Sequence, residues 1–283
     1  MINLQHIQDS EMTVNNGSMF ANASGFTVIN SKFIVISNDE KENIRKWLDA
    51  PDCAINFRVA DDKRTEGTGQ WILMQPEYIQ WKRGPSVLWI QGKAGSGKTI
   101  LSTTIIRDLE KGAPENVWYH YFDSRDNTDN KSTFRGYLLS LLLRVGADNT
   151  GKVHPALKGL FDKCSRQGLG GSSPTEKDLA IVLKEVLMTF SWGYIVLDAM
   201  DECSESKKVL AWLQNMPKQF YLLITSRYSP EGDTLRECLK ISLDSRNGMV
   251  DEDIGKYLEE SINFTGDLRA EVIKTLKDKA QGQ

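Results

Sequence analysis

The segment GKAGSGKT, residues 92–99, constrains the fold of this chain more than any other stretch. It follows SVLWIQG (86–92), an apolar run typical of a buried strand, and it precedes KTILSTTIIRDLEK (98–111), whose apolar residues recur at helical spacing. The spacing G-x-x-x-x-G-K-[ST] between a strand and a helix is typical of a loop that cradles phosphate groups. The sequence therefore predicts an α/β domain built around such a P-loop.

Each residue type in this loop suits the binding of a nucleotide. Glycines let the backbone curl so that successive N–H groups face inward, where the positive end of the following helix also points. Lys98 is predicted to contact the β- and γ-phosphates, and the Thr99 hydroxyl to bind Mg²⁺. The predicted nucleotide-binding residues of the loop are Gly92, Lys93, Ala94, Gly95, Ser96, Gly97, Lys98, Thr99 and Ile100.

A second apolar run, YIVLDAMDEC (194–203), ends in three closely spaced carboxylates. Asp198 directly ends the run and is predicted to hold Mg²⁺, as the acid at the end of a strand does in P-loop proteins. Glu202 is predicted to polarise the attacking water, with Asp201 as a co-ligand or helper. The alternative for the last two acids is that they cap the helix predicted from SKKVLAWL.

LLITSRY (222–228) is predicted to be a further strand of the same sheet. Ligands of such sheets bind beyond the carboxyl ends of the strands, and Arg227 lies at that end. Arg227 is therefore a candidate catalytic residue that senses or stabilises the γ-phosphate. The alternative is a surface salt bridge with an acid such as Glu231.

Strands and helices alternate along the chain, which predicts a mostly parallel, five-stranded sheet with helices on both faces. The strands are expected within 86–92, 116–124, 194–203, 220–228 and 238–244. Helices are expected within 38–50, 98–111, 132–146, 170–190, 206–217, 251–262 and 265–280. Residues 51–70 read as loop-like, and residues 71–84 as a short helix or a strand and turn.

Four regions are expected along the chain. Residues 1–37 form a polar segment and a β-hairpin at 19–37, for which edge-to-edge self-assembly is the alternative. Residues 38–84 form a linker of helices and loops, 85–244 the nucleotide-binding domain, and 245–283 the start of a helical domain.

Composition excludes some classes of partner. Charged residues make up 26% of the 283 residues and the net charge is −3, which provides no basic surface for nucleic acid and no attraction to anionic membranes. No apolar run is long enough to span a bilayer, and the first residues lack the apolar core of a secretory signal. The four cysteines are far apart, which favours reduced thiols in a cytoplasmic protein.

LWIQGKAGSGKTILS, YIVLDAMDEC and LLITSRY together resemble the NACHT module of STAND-class signalling NTPases, in which the acids are spaced as D-A-M-D-E. The stretch 47–81 resembles the segment before NACHT in fungal NOD-like receptors. FANASGFTVINSKFIVIS (20–37) resembles an N-terminal element of mushroom-type members, so the similarity runs from about residue 19 to 283.

The resemblance implies a switch that binds ATP or GTP with Mg²⁺, hydrolyses it slowly and assembles through homotypic NACHT contacts. Such proteins act in non-self recognition, innate immunity or programmed cell death, and the sequence names neither the upstream ligand nor the downstream effector. Near the nucleotide base, the resemblance implies Arg64, Gly67, Thr68, Gly69 and Trp71. Family members continue into a winged-helix domain and a repeat array, so the chain is expected to be truncated, with an amphipathic helix at 265–280 that lacks a partner surface.

Three other functions remain open at this point. A nucleotide-bound adaptor would keep the P-loop without turnover. A P-loop kinase would need an acceptor site and an arginine-rich lid, whereas the chain offers single arginines in TLREC and DLRAE. A Ras-like GTPase would need an [NT]KxD motif, which the sequence lacks.

Overall fold

The strands of the described chain form one sheet in which every neighbouring pair is parallel. They are β1 Val87–Gln91, β2 Val117–Tyr121, β3 Gly193–Asp198, β4 Phe220–Ser226 and β5 Cys238–Ser242. Their order across the sheet is β2-β3-β4-β1-β5. In the register, Val87 of β1 lies beside Leu222 of β4 on one side and beside Cys238 of β5 on the other. The five-stranded parallel sheet predicted from the sequence is thus confirmed.

The computed structural model describes residues 40–125, 130–147, 152–165, 172–228, 235, 238–262 and 267–280. The described residues from Glu40 onward belong to one compact unit. The hairpin predicted at 19–37 and the acid Glu231 lie outside the described residues.

The helices connect and cover the strands. They are α1 Glu40–Leu48, α2 Cys53–Asp62, α3 Pro76–Trp81, α4 Lys98–Gly112, α5 Phe134–Gly146, α6 Pro155–Ser165, α7 Glu176–Leu187, α8 Ser206–Gln214, α9 Asn247–Ser261 and α10 Asp267–Ala280. Short 3-10 helices span Gln70–Met74, Pro114–Asn116, Met200–Glu202 and Leu243–Arg246. In the part of the chain that is described, none of these helices has the length and apolar character needed to cross a membrane.

Alternate residues of the central strands face two separate cores, because side chains in a strand point to opposite sides. Val87 and Trp89 of β1 pack into one core, with apolar residues from α1 and α5 to α8. Leu88 and Ile90 pack into the other, with residues from α2, α3 and α4. Helices therefore cover both faces of the sheet, as the near-continuous apolar strands indicated.

The loop-like interpretation of residues 51–70 is wrong for its first half, which forms α2. The Asp52 side chain accepts a hydrogen bond of 2.9 Å from the Ala54 N–H and caps this helix. Cys53, Phe57 and Ala60 then lie buried on one face, at helical spacing. Helix α6 was not predicted either, and residues 71–84 form two short helices rather than a strand.

Candidate nucleotide-binding site

The P-loop connects β1 to α4, and the reasons for glycine at Gly97 and at Gly92 are different. Gly97 has φ of +79°, a conformation that side-chain-bearing residues rarely adopt, and it forms the N-cap of α4 without a side-chain cap. At Gly92 a Cβ atom would lie 2.5 Å from the Ser96 Oγ and 2.9 Å from the Leu243 Cβ. Since no side chain caps α4, its N-terminal N–H groups remain suited to an anion.

Ser96 gives independent support for an anion at this loop. Its side chain is only 4% exposed, yet its Oγ has no hydrogen-bond partner among the residues that the structure describes. Buried hydroxyls normally have a partner, because an unsatisfied one costs roughly 1–3 kcal/mol. A phosphate oxygen in the loop would accept this hydrogen bond, so the residues present fit a nucleotide phosphate.

Lys98 folds back onto the loop. Its Nζ donates hydrogen bonds of 2.7 Å to the carbonyl oxygens of Gly92 and Lys93. Burial lowers the pKa of Lys98, and the charges of Asp201 and Asp198 act in the opposite direction. A half-buried ammonium group that is hydrogen-bonded to neutral carbonyl oxygens is ready to exchange these partners for phosphate oxygens.

Asp198, at the end of β3, is buried within a shell of hydroxyl groups. Its Oδ2 accepts from the Thr99 Oγ1 at 2.8 Å, and its Oδ1 accepts from the Ser102 Oγ at 2.9 Å and the Thr225 Oγ1 at 2.8 Å. Burial raises the pKa of Asp198, and the hydrogen bonds from these hydroxyls oppose that shift. The predicted Mg²⁺ ligands Thr99 and Asp198 are therefore in direct contact.

The Thr99 hydroxyl and the Asp198 carboxylate fit a Mg²⁺ ion, which needs only a few of its ligands from the protein. The described residues contain no group of three or more His, Cys, Asp or Glu that could hold a metal. Mg²⁺ usually takes one or two protein oxygens and completes its shell with waters and substrate phosphates. One hydroxyl and one carboxylate beside a phosphate cradle fit that pattern.

Asp201 and Glu202 have separate partners from different strands. Asp201 accepts from the backbone N–H of Arg227 at 2.9 Å, and its Oδ2 lies 2.9 Å from the Arg227 Nε. Glu202 accepts from the N–H and the Oγ of Ser124, at 3.0 and 3.2 Å, beyond the end of β2. Neither acid caps α8, which starts at Ser206 after Glu205 as its N-cap. The described partner of Arg227 is thus an acid of the site itself.

The turn that carries these acids is strained. Ala199 has φ of +55°, which is uncommon for a residue with a Cβ, and its N–H donates to the Thr225 Oγ1 at 2.9 Å. Strained backbone of this kind persists where the surroundings hold it, often at functional sites. Here it redirects the chain between Asp198 and Asp201, so that the two carboxylates meet different neighbours.

A cavity of ≈ 810 Å³ adjoins the P-loop. Of the residues expected near a nucleotide base, Arg64, Thr68 and Trp71 line it, together with Ile100 of α4. Gly67 and Gly69 belong to the same turn but are not part of the lining. Volumes of this order suit small-molecule ligands, so the cavity can hold the nucleoside part of a nucleotide.

The sequence analysis did not predict that α9 also lines this cavity. The residues of α9 in the lining include Val250, Asp253, Ile254 and Tyr257. The Asp253 Oδ2 accepts from the Gly69 N–H at 2.9 Å and from the Trp71 Nε1 at 2.8 Å. Burial raises the pKa of Asp253, and these two hydrogen bonds oppose the shift. No local pattern could have identified Asp253, because it lies 184 positions along the chain from Gly69.

Loss of the Asp201–Arg227 ion pair is expected to have little effect on stability. The Arg227 side chain is 45% exposed, so Arg227→Ala should change the free energy of unfolding by less than about 1 kcal/mol. Asp201→Ala should cost about 0.5–1.5 kcal/mol more, because it also removes the hydrogen bond from the exposed backbone N–H of position 227. Urea denaturation of both variants measures this; a larger cost for Arg227→Ala would contradict it.

Comparison with known proteins identifies the family of this chain. The family model described as "Nephrocystin 3, N-terminal" matches residues 67–227, which include the P-loop, the carboxylates and Arg227. "Vegetative incompatibility protein HET-E-1" of Podospora anserina is 27% identical over 186 residues, covering 57% of this chain. The chain spans 13% of the length of that relative.

Two solved structures match this chain at low similarity. The ORC1 protein of Aeropyrum pernix, solved in complex with DNA, matches with a TM-score of 0.43 and 15% identity over 83% of this chain and 59% of that chain. C. elegans PCH-2 matches with a TM-score of 0.33 and 12% identity over 86% of this chain and 62% of that chain. We infer nothing about function from similarities at this level.

Three observations indicate the same kind of protein: the residues of the motifs, the parallel sheet and the match to the family model. The chain is a P-loop NTPase, and the NACHT-type assignment made from its motifs is confirmed. Since the family model covers more than half of its residues, this protein belongs to the family described as Nephrocystin 3, N-terminal.

Proposed function

We propose that this protein is a nucleotide-dependent signalling switch that binds a nucleoside triphosphate with Mg²⁺ and hydrolyses it slowly. The observation that carries the proposal is the convergence of two features at one end of the sheet. One is the P-loop, in which α4 has no side-chain cap and the Ser96 hydroxyl has no hydrogen-bond partner among the described residues. The other is the contact between Thr99 and Asp198 at 2.8 Å. Both features provide contacts that a bound Mg²⁺–triphosphate requires, whereas an ordinary loop between a strand and a helix requires neither.

Each residue has a role in this proposal. The N–H groups of the P-loop and Lys98 bind the phosphates, and Thr99 and Asp198 hold Mg²⁺. The ion, when bound, neutralises charge that develops on the phosphates. Glu202, fixed by Ser124, orients and polarises the attacking water. Arg227 exchanges its partner Asp201 for the γ-phosphate, and Asp201 assists at the metal.

The nucleotide itself is the first thing to measure. Mass spectrometry of nucleotide released from the purified protein distinguishes ATP or ADP from the guanine nucleotides, and a radiolabelled assay measures hydrolysis. We expect bound nucleotide and slow release of labelled phosphate. Bound nucleotide without release favours a non-turnover adaptor, and transfer of label to another molecule favours a kinase.

Asp198→Asn is expected to weaken Mg²⁺-dependent binding while leaving Mg²⁺-free binding nearly unchanged. The amide keeps an oxygen for one hydroxyl donor but removes the negative charge that attracts the cation. We expect the ratio of affinities with Mg²⁺ and with EDTA to fall about tenfold, the effect of losing one charge-assisted contact. Titration of each variant with a fluorescent triphosphate measures this ratio. An unchanged ratio would show that Asp198 is a structural carboxylate.

The wider biological role is also a proposal. HET-E-1 is described as a vegetative incompatibility protein, which favours a role in non-self recognition, innate immunity or programmed cell death in the cytoplasm. We propose a nucleotide-binding domain at 85–244, with 38–84 and 245–283 completing the cavity beside the P-loop. Homotypic assembly in the triphosphate state is proposed for full-length members of the family. Light scattering of this chain with ADP and with a non-hydrolysable triphosphate is expected to give the same mass. A discrete assembly formed only with the triphosphate would show that this chain switches unaided.

A further inference from the structure

The cavity that adjoins the P-loop, here called the base-side cavity, is lined by parts of the chain that lie far apart in sequence. One wall is the segment that runs from the end of α2 to Trp71, and a second is the P-loop with the first turn of α4. The third wall is α9, which follows the sheet and the 3-10 helix Leu243–Arg246. A ligand in this cavity would therefore touch α9 as well as the P-loop.

Asp253 joins the first wall to the third. Two donors meet on its Oδ2: the N–H of Gly69 at 2.9 Å and the indole N–H of Trp71 at 2.8 Å. Gly69 cannot easily move away from this arrangement, because it has φ of +73° and packs so closely on α4 that a Cβ would lie 2.8 Å from the Thr104 Oγ1. The carboxylate thus fixes α9 against a turn that is itself fixed on α4.

Little else in the described residues provides a polar link between these two walls. A contact from the Gln75 Nε2 to the Met249 Sδ is 3.6 Å long, and sulfur is a weak acceptor. The Oδ1 of Asp253 accepts no hydrogen bond from the residues that the structure describes. The polar connection between α9 and the turn at Gly69 therefore depends mainly on one oxygen atom.

We propose that Asp253 is a positioning residue that couples nucleotide binding to the docking of α9. This inference rests on the proposed nucleotide binding and extends it to regulation. When Asp253 holds α9 on the turn, the cavity has all three walls and the nucleoside binds. By reciprocity, a nucleotide that contacts α9 stabilises its docked position by the same free energy. In this way, the binding of nucleotide affects the position of the C-terminal helices.

The test compares four variants of the full chain in nucleotide titrations and in hydrogen–deuterium exchange. Asp253→Ala removes both hydrogen bonds, Asp253→Asn keeps an acceptor oxygen, and Trp71→Phe removes one donor while it keeps an aromatic ring. Glu252→Ala is the matched control, since Glu252 lies on the same helix with the same charge but pairs with Lys256. Circular dichroism checks that each variant is folded.

We expect Asp253→Ala to bind ADP and a non-hydrolysable triphosphate about tenfold more weakly, as loss of two hydrogen bonds implies. Asp253→Asn and Trp71→Phe should show smaller losses, and Glu252→Ala none. In the wild type, nucleotide should slow exchange in both 92–99 and 248–261. At saturating nucleotide, Asp253→Ala should keep the slowing in 92–99 and lose it in 248–261. If Asp253 only stabilised the fold, its replacement would not change hydrogen exchange differently in 92–99 and in 248–261.

Two different failures can be told apart. If Asp253→Ala, Asp253→Asn and Trp71→Phe all bind and protect 248–261 as the wild type does, the coupling is refuted while nucleotide binding stands. An equal loss in Glu252→Ala also refutes it, because the effect would then follow from helix charge. If the wild type binds no nucleotide, or Lys98→Ala binds as well as the wild type, the proposed function itself fails. If Asp253→Ala does not fold, Asp253→Asn and Trp71→Phe decide.

Discussion

Lys98→Ala is expected to lower the affinity for nucleoside triphosphates by about 100-fold or more while the fold remains. In the proposed site the ammonium group would make charge-assisted hydrogen bonds to phosphate oxygens, and two such contacts at roughly 1.5–3 kcal/mol each account for this loss. Among the residues that the structure describes, Lys98 donates to the carbonyl oxygens of Gly92 and Lys93 on the same loop. The folded chain therefore loses little when the side chain is removed.

The measurement is a fluorescence titration with a labelled triphosphate, beside circular dichroism of the free protein. Lys111→Ala is the matched control, because Lys111 lies in the last turn of the same helix, with the same charge, away from the loop. Wild-type affinity in Lys98→Ala would overturn the assignment of this loop as a phosphate site. A weakening of equal size in Lys111→Ala would instead indicate a general effect of charge.

Glu202→Gln is expected to reduce hydrolysis at least about 100-fold and to leave the affinity for Mg²⁺–triphosphate nearly unchanged. Positioned acids and bases typically contribute 10²–10⁴-fold to rates. The amide oxygen of glutamine can still accept from the N–H of Ser124, so the side chain keeps its place. Only its basicity toward water is lost, and a loss of that kind lowers the turnover rate rather than binding.

Single-turnover release of labelled phosphate, measured beside equilibrium binding, separates these two effects. Glu205→Gln provides the control, since Glu205 is a nearby acid that accepts from the Phe134 N–H and pairs with Lys208, outside the proposed chemistry. If Glu202→Gln hydrolyses at the wild-type rate, the acid only anchors the loop after β2. A fall in binding as large as the fall in rate would also contradict the prediction.

The parts of the fold that the sequence predicted are those with strong local patterns. The strands are near-continuous apolar runs, and the P-loop joins one of them to a helix, so their types were readable within a short window. Helix α7 also begins at a local signal, because Thr175 forms a full capping box with Asp178 three residues later. The apolar run that Asp198 directly follows likewise predicted that this residue ends β3.

What the sequence did not predict depends on tertiary contacts or on weak patterns. Helix α2 has only three buried residues in ten, and the apolar Ile55 and Val59 are exposed, so its sequence shows no clear apolar face. The pairing of Arg227 with Asp201 requires two strand ends to meet, which no spacing in the sequence indicates. Asp253 acts on Gly69 and Trp71 across the cavity, and no spacing rule connects them.

The pairing of β1 has a consequence for the order in which this protein forms. Val87 pairs with Leu222 and Cys238, so the strand that carries the P-loop has no neighbours until most of the chain is available. Pairings this distant in sequence make folding slow, because a long loop must close before they add stability. During synthesis, β2 and β3 can pair first, and the strand before the P-loop must wait. The strand before the P-loop therefore gains its first neighbour when β4 is available and its second when β5 is available.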